Sequence, residues 1–210
     1  MSFWHALGEQ LKHPKGMTGR AVGRAMRLVN TVPNKAAVEA LNLQPNDRIL
    51  ELGFGPGQAV HMMAQHVSHA NIHGIDISRE MLAQACKLNR CAVNDGRVSL
   101  ILGEFYSLPY ADHSFDKILA VNVIYFWDDA PAVLRECRRV LKPGGTMALY
   151  ATDESAMRKW KFAGAETHLL FSCQDIRSAF LQGGFKAEDI AVKTLKILPG
   201  VTGLLATVVT

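Results

Sequence analysis

Five short apolar runs, most of them separated by enough chain for a helix, constrain this sequence more than any other feature. Arg48–Leu52, Asn71–Asp76, Val98–Leu102, Lys117–Val123 and Thr146–Ala151 each have the length of a strand. Between them lie helical patterns. One runs from Gly57 to about Val67. Another opens with Ser78 as N-cap and carries Met81, Leu82, Ala85 and Leu88 on one face. A third covers Ala130–Leu141, with Val133, Leu134, Cys137, Val140 and Leu141 at helical spacing, and Pro143-Gly144-Gly145 is expected to stop it. Strands alternating with helices imply a parallel sheet covered on both faces and joined by right-handed crossovers. The tail breaks the alternation. A helix near Asp175–Leu181 precedes two β-rich runs, Ala187–Leu198 and Gly203–Val209, joined through Pro199-Gly200. A turn that short makes the two strands antiparallel.

The bulk properties agree with one domain over residues 1–210. Hydrophobic residues make up 49% and charged residues 20%, the balance of a globular chain rather than a disordered one. No run approaches the roughly 20 apolar residues of a membrane-spanning helix. The first twelve residues lack the pattern of a secretory signal. Cys86, Cys91, Cys137 and Cys173 form no Cys-x-x-Cys pair and have no histidine cluster beside them. Free thiols, no metal site and a cytoplasmic location are the expectation.

The sharpest local feature is Glu51-Leu52-Gly53-Phe54-Gly55-Pro56-Gly57, set between the first strand and its helix. Glycines let the chain turn tightly and let a ligand approach the backbone, and the helix behind presents unpaired N–H groups. At the carboxyl edge of such a sheet this is where a nucleotide-like ligand binds. Asp76 ends the second strand about 20 residues on, placed to accept from ribose hydroxyls. Glu104 and Phe105 follow the third strand. A dinucleotide site has G-x-G-x-x-G, but here the third glycine comes one place early and Glu51 stands at the entrance. A carboxylate there repels a pyrophosphate and suits a ligand with an ammonium and a sulfonium.

With those residues in view, the chain resembles the class I S-adenosylmethionine (SAM)-dependent methyltransferases, in the branch with the ubiquinone and menaquinone C-methyltransferases. The resemblance rests on ELGFGPG (51–57), GIDIS (74–78), LGEFYSLPYADHSFDKI (102–118) and RVLKPGG (139–145), in the family's order and spacing. It implies a Rossmann-like three-layer sandwich with a seven-stranded, mostly parallel sheet of order 3-2-1-4-5-7-6, the last strand antiparallel. It also implies SAM as cofactor and S-adenosylhomocysteine (SAH) as product. Gly53, Gly55, Gly57 and their backbone would line the methionine part, with Glu51 on its ammonium. Asp76 would hold the ribose, Ile77 would flank the adenine, Glu104 would accept from the adenine amino group, and the Phe105 backbone would lie beside the ring. Position 104 more often carries Asp in the family. Asn122 would contact the methionine end or the acceptor.

The cofactor supplies the leaving group in methyl transfer, so the protein supplies position, desolvation and in some enzymes a base. Tyr125 and Asp128, past the fourth strand, are the nearest groups able to bind or deprotonate a substrate. Phe126 and Trp127 read as core. Asp153 and Glu154, after the fifth strand, are further candidates for the acceptor pocket. Residues 1–32 read as a helical lid over a SAM-binding core of 33–210. Phe3, Trp4, Leu7 and Leu11 form one stripe, Val22, Ala25, Met26 and Val29 another, and Gly16, Gly19 and Gly23 interrupt them. A lid over the acceptor, a static cap and a contact in a homodimer all remain open for this segment. It is also basic, with Lys12, Lys15, Arg20, Arg24, Arg27 and Lys35 against Glu9, within a net charge of +4. A small-molecule acceptor is the leading reading. RNA methylation is a rival, but residues 122–125 read Asn-Val-Ile-Tyr without the prolines of amino-group DNA methyltransferases. A SAM-binding subunit without turnover is the other rival.

Overall fold

The computed structural model describes residues 3–12, 14, 16–67, 69–164 and 167–210. Helices α1 (Phe3–Lys12), α2 (Gly16–Val29) and α3 (Thr31–Ala40) lead into β1 (Arg48–Leu52), α4 (Gln58–His66), β2 (Asn71–Asp76), α5 (Arg79–Leu88), α6 (Arg90–Asn94) and β3 (Val98–Leu102). Then come β4 (Phe115–Val121), a 3-10 turn at Ile124–Phe126, α7 (Ala130–Val140), β5 (Leu141–Thr152), α8 (Glu154–Met157), α9 (Cys173–Gln182), β6 (Ile190–Leu198) and β7 (Val201–Val209). The seven strands form one sheet of order β3-β2-β1-β4-β5-β7-β6. β7 is antiparallel to both β5 and β6, and the other pairings are parallel.

Strand alternation divides the core. Leu50 and Leu52 of β1, Ile118 and Ala120 of β4, and Met147 and Leu149 of β5 face one apolar layer, which α7 and α9 complete. Ile49, Leu119, Val121, Ala148 and Tyr150 face the other, which α3, α4 and α5 complete. A central parallel strand buried on both faces leaves few places for a charge, and β1 buries one, Glu51, near its carboxyl end.

Several boundaries differ from the sequence reading. β4 ends two residues earlier, at Val121, because Asn122 adopts a left-handed conformation (φ 54°) and turns the chain. Asparagine is among the few residues other than glycine that enter this region readily. α7 stops at Val140, with Leu141 already extended, so β5 begins before the Pro-Gly-Gly stretch rather than after it. At the N-terminus α2 runs unbroken through Gly19 and Gly23, so these glycines do not interrupt it. They permit close packing instead. A Cβ on Gly23 would stand 2.6 Å from Gln84 Oε1, and one on Gly19 would stand 2.9 Å from the Pro14 carbonyl carbon. The boundary expected at residue 32 falls inside α3, the chain breaking at Asn30. Lys15 lies outside the described residues, as do the side chains of Phe3, Arg20, Arg24, Ala25 and Arg27.

Candidate active site

The carboxyl ends of β1, β2 and β4 open into a cavity of about 230 Å³, roofed by Leu11, Lys12, Pro14 and Met26 of the first two helices and their connection. Of the residues singled out from sequence, Glu51, Gly53, Gly55, Asp76, Ile77, Glu104, Phe105, Asn122 and Asp128 border it. Gly57 and Tyr125 are not on that lining.

The strand-to-helix turn explains its own glycines. Gly53 has φ +66°, and a Cβ there would lie 2.5 Å from Val123 Cγ2. Gly55 has φ +50°, and its N–H donates to Asp76 Oδ2 at 2.9 Å. Gly57, the left-handed N-cap of α4, packs on α5 and accepts from Asn89 Nδ2 at 3.0 Å. The same Asp76 carboxylate accepts from Ser78 N at 2.8 Å through Oδ1. Each of its oxygens thus has a backbone donor, which fixes the carboxylate and leaves lone pairs for hydroxyls.

Two buried carboxyls therefore share one cavity. Glu51 is 3% and Asp76 7% exposed. Desolvation pushes both upward. For Glu51 the negative charge of Asp76 adds to the rise; for Asp76 the N–H groups of Ser78, Gly55 and Ile77 oppose it. Glu51 Oε2 is buried without a hydrogen-bond partner, as is Trp127 Nε1 on the cavity wall. An orphaned carboxylate oxygen beside a second carboxylate is a site for a cation. The ammonium and sulfonium of SAM meet that demand, and a phosphate does not.

The acceptor candidates separate. Asp128 is exposed on the cavity's rim. Tyr125 is buried; its hydroxyl donates to Asn122 Oδ1 at 2.8 Å and accepts from Thr152 N–H. Burial raises its pKa far above that of a free phenol, so it is not poised to take a proton. Phe126 is half-buried and lines the cavity rather than serving only as core, and Trp127 lines it too. Asp153 is occupied as the N-cap of α8 and Glu154 by an ion pair with Arg158, and neither borders the cavity. The sequence reading missed Asn30, Asn34 and Gln58, which border it as well. Asn34 Nδ2 donates to Gln58 Oε1 at 3.2 Å.

Fold, glycine turn and paired carboxyls together define a class I SAM-dependent methyltransferase. Residues 50–149 match the family model described as a methyltransferase domain. The uncharacterized methyltransferase YdaC of Bacillus subtilis (strain 168) is 32% identical over 174 residues, covering 83% of this chain and 91% of its own. The demethylmenaquinone methyltransferase of Thermotoga maritima is 33% identical over 121 residues, 58% of this chain and only half (50%) of that protein. Haemonchus contortus phosphoethanolamine N-methyltransferase 2, solved with SAM, shares the fold with a TM-score of 0.77 at 15% identity, over 100% of this chain and 60% of that one. The chain belongs to the SAM-dependent methyltransferase family. Among the described residues no helix is long and apolar enough to cross a membrane.

Proposed function

We propose that this chain methylates a small molecule held at the lid end of the cavity, residues 1–32 acting as the lid and 33–210 as the SAM-binding core. The observation that carries the reading is the pair of buried carboxyls under a roof. Glu51 and Asp76 select a cationic nucleoside, and Leu11, Lys12, Pro14 and Met26 cover the cavity, which favours a compact acceptor over a nucleic-acid duplex. One relative is named for demethylmenaquinone, a small molecule.

SAM supplies a methyl group already activated on sulfonium. The chain's own residues bind and orient it. Glu51 takes the ammonium, Asp76 the ribose hydroxyls, Ile77 and the Phe105 backbone flank the adenine, and Glu104 accepts from its amino group. Gly53 and Gly55 let the backbone approach. Phe126 and Trp127 exclude water where the acceptor meets the methyl group, and the roof completes that exclusion. Tyr125 supports the wall rather than moving a proton, so positioning carries the rate, with Asp128 the ionisable group at the rim.

Glu51 gives this reading a pH signature. Its folded pKa lies above the ordinary 4.5, so the empty protein holds more protons than the unfolded chain in that window. Stability contributed by the neutral carboxyl is present below 4.5 and is lost as pH rises through the folded value. A bound ammonium reverses the preference, so SAH should bind more tightly as pH rises through the same window and release a proton. Glu51→Gln should stabilise the empty protein at neutral pH, weaken SAH binding and reduce that pH dependence to what Asp76 contributes. Calorimetry in buffers of different ionisation enthalpy measures the proton. An unchanged pH profile in Glu51→Gln would remove Glu51 from the ammonium site.

Deleting residues 1–30 should leave a folded core that still binds SAH, but more than about tenfold more weakly, because the roof and Asn30 are both gone. Circular dichroism and calorimetry test this, and undiminished affinity would show that the segment does not cover the cofactor.

A further inference from the structure

One chain of hydrogen bonds crosses from the sheet to the lid, and a backbone amide fixes its direction. Thr152 N–H can only donate, and it donates to the Tyr125 hydroxyl oxygen. The Tyr125 proton is therefore free to go onward, and it donates to Asn122 Oδ1 at 2.8 Å. Thr152 Oγ1 lies 3.5 Å from the same oxygen. With its oxygen committed, Asn122 turns Nδ2 outward and donates to Asn30 Oδ1 at 3.0 Å. Asn30 is thereby held with its own Nδ2 unspent. That group has no partner among the described residues, although Asn30 borders the cavity. Neither does it serve α3, whose N-cap Asn30 makes no side-chain capping bond.

The position of this donor says what it meets. Asn122 follows β4 directly, and β4 pairs with β1 so that Leu119 stands opposite Glu51 and Ala120 opposite Leu52. Val123, the next residue, touches the Gly53 backbone closely enough to bar a Cβ there. Asn30 and Asn122 thus sit at the same end of the cavity as Glu51. An α-amino acid carries its ammonium and carboxylate on one carbon, so a ligand whose ammonium meets Glu51 brings a carboxylate within reach of neighbouring donors. Lys12, on the roof of the same cavity, adds positive charge.

We propose that Thr152, Tyr125, Asn122 and Asn30 form a one-way relay that fixes Asn30 as an N–H donor to the carboxylate of the bound cofactor, with Tyr125 its positioning residue. The inference rests on the SAM reading of the cavity. It gives the buried phenol, which burial keeps protonated, a task that needs its proton in place. It also ties the start of α3 and the end of β4, already joined by the Asn122–Asn30 bond, to the ligand.

The test compares two probes on the whole chain by calorimetry: SAH, and S-adenosyl-3-thiopropylamine, which keeps the ammonium, ribose and adenine and lacks only the carboxylate. Wild type should prefer SAH. Asn30→Ala should lose about tenfold or more in SAH affinity, the loss of a hydrogen bond to a charged group, and little for the amine. Asn30→Asp still accepts from Asn122 but turns a carboxylate oxygen toward the ligand, so its SAH loss should exceed that of Asn30→Ala while amine binding holds or tightens. Tyr125→Phe should reduce the preference for SAH in the same sense, because Asn122 is then free to flip. A purely structural role would lower both affinities equally in all three variants, and that result, or a wild type indifferent to the carboxylate, would overturn the proposal. A wild type that binds neither probe would sink the cofactor reading with it.

Discussion

Asp76→Ala should lower SAH affinity about a hundredfold. A hydrogen bond to a charged group contributes about 1.5–3 kcal/mol, and under the proposed assignment two ribose hydroxyls would share this carboxylate, so a loss of about 3 kcal/mol is the expected scale. The side chain also accepts from Gly55 N at 2.9 Å and Ser78 N at 2.8 Å, so its removal frees the glycine turn as well as the ribose. Asp76→Asn separates the two roles. Its single oxygen can keep one of the backbone donors, and its amide cannot accept from the other. An intermediate loss is expected. Calorimetry with SAH, alongside circular dichroism to confirm folding, reads the result. Unchanged affinity in a folded Asp76→Ala protein would overturn the ribose assignment.

Gly57→Ala should cost about 2–5 kcal/mol of folding stability. The left-handed backbone at φ +80° charges a Cβ-bearing residue about 1–2 kcal/mol. The new methyl would stand 2.7 Å from Ala85 Cβ and 2.8 Å from both Ala85 Cα and Asn89 Nδ2, overpacking that typically costs about 1–3 kcal/mol more. Two of those atoms are backbone or a methyl on a helix, with no flexible end to move aside. Gly96 has φ +73° with nothing within 4 Å, so Gly96→Ala should show the backbone cost alone. Urea denaturation measures both. Equal losses would show that the α4–α5 contact is slack, and Gly57 would then be a turn residue only. Against a total stability of about 5–15 kcal/mol, the larger figure could leave little folded protein.

Much of the fold was legible because its signals are local. β1, β2 and β3 fall where the apolar runs place them, and α5 begins where Ser78 caps it, its Oγ accepting from Met81 N at 3.3 Å. The sequence pattern places the end of β4 two residues late because its apolar run continues past the sheet as cavity wall, and only the left-handed turn at Asn122 marks the end. α6 and α8, five and four residues long, are too short to show a periodicity. The cofactor half of the site could be read from strand-turn-helix units, where glycine, carboxylate and helix start lie within a few residues of each other. The half under the N-terminal helices could not. Asn122 meets Asn30 across 92 residues of sequence, and Asn34 meets Gln58 across 24, contacts that no local pattern encodes. Tyr125 drew notice as an ionisable group near the strand end, but its burial and its bond from Thr152 N–H, 27 residues on, depend on tertiary packing.

The most direct test is a calorimetric titration of the wild-type chain with SAH, beside one with NAD. The cavity carries two buried carboxyls, one with an unpaired oxygen, at the carboxyl ends of adjacent strands. Saturable one-to-one binding of SAH, tightening as pH rises, and no binding of NAD is the expected result. Binding of NAD, or a folded protein that gives no heat with SAH at any pH at which it stays folded, would contradict it.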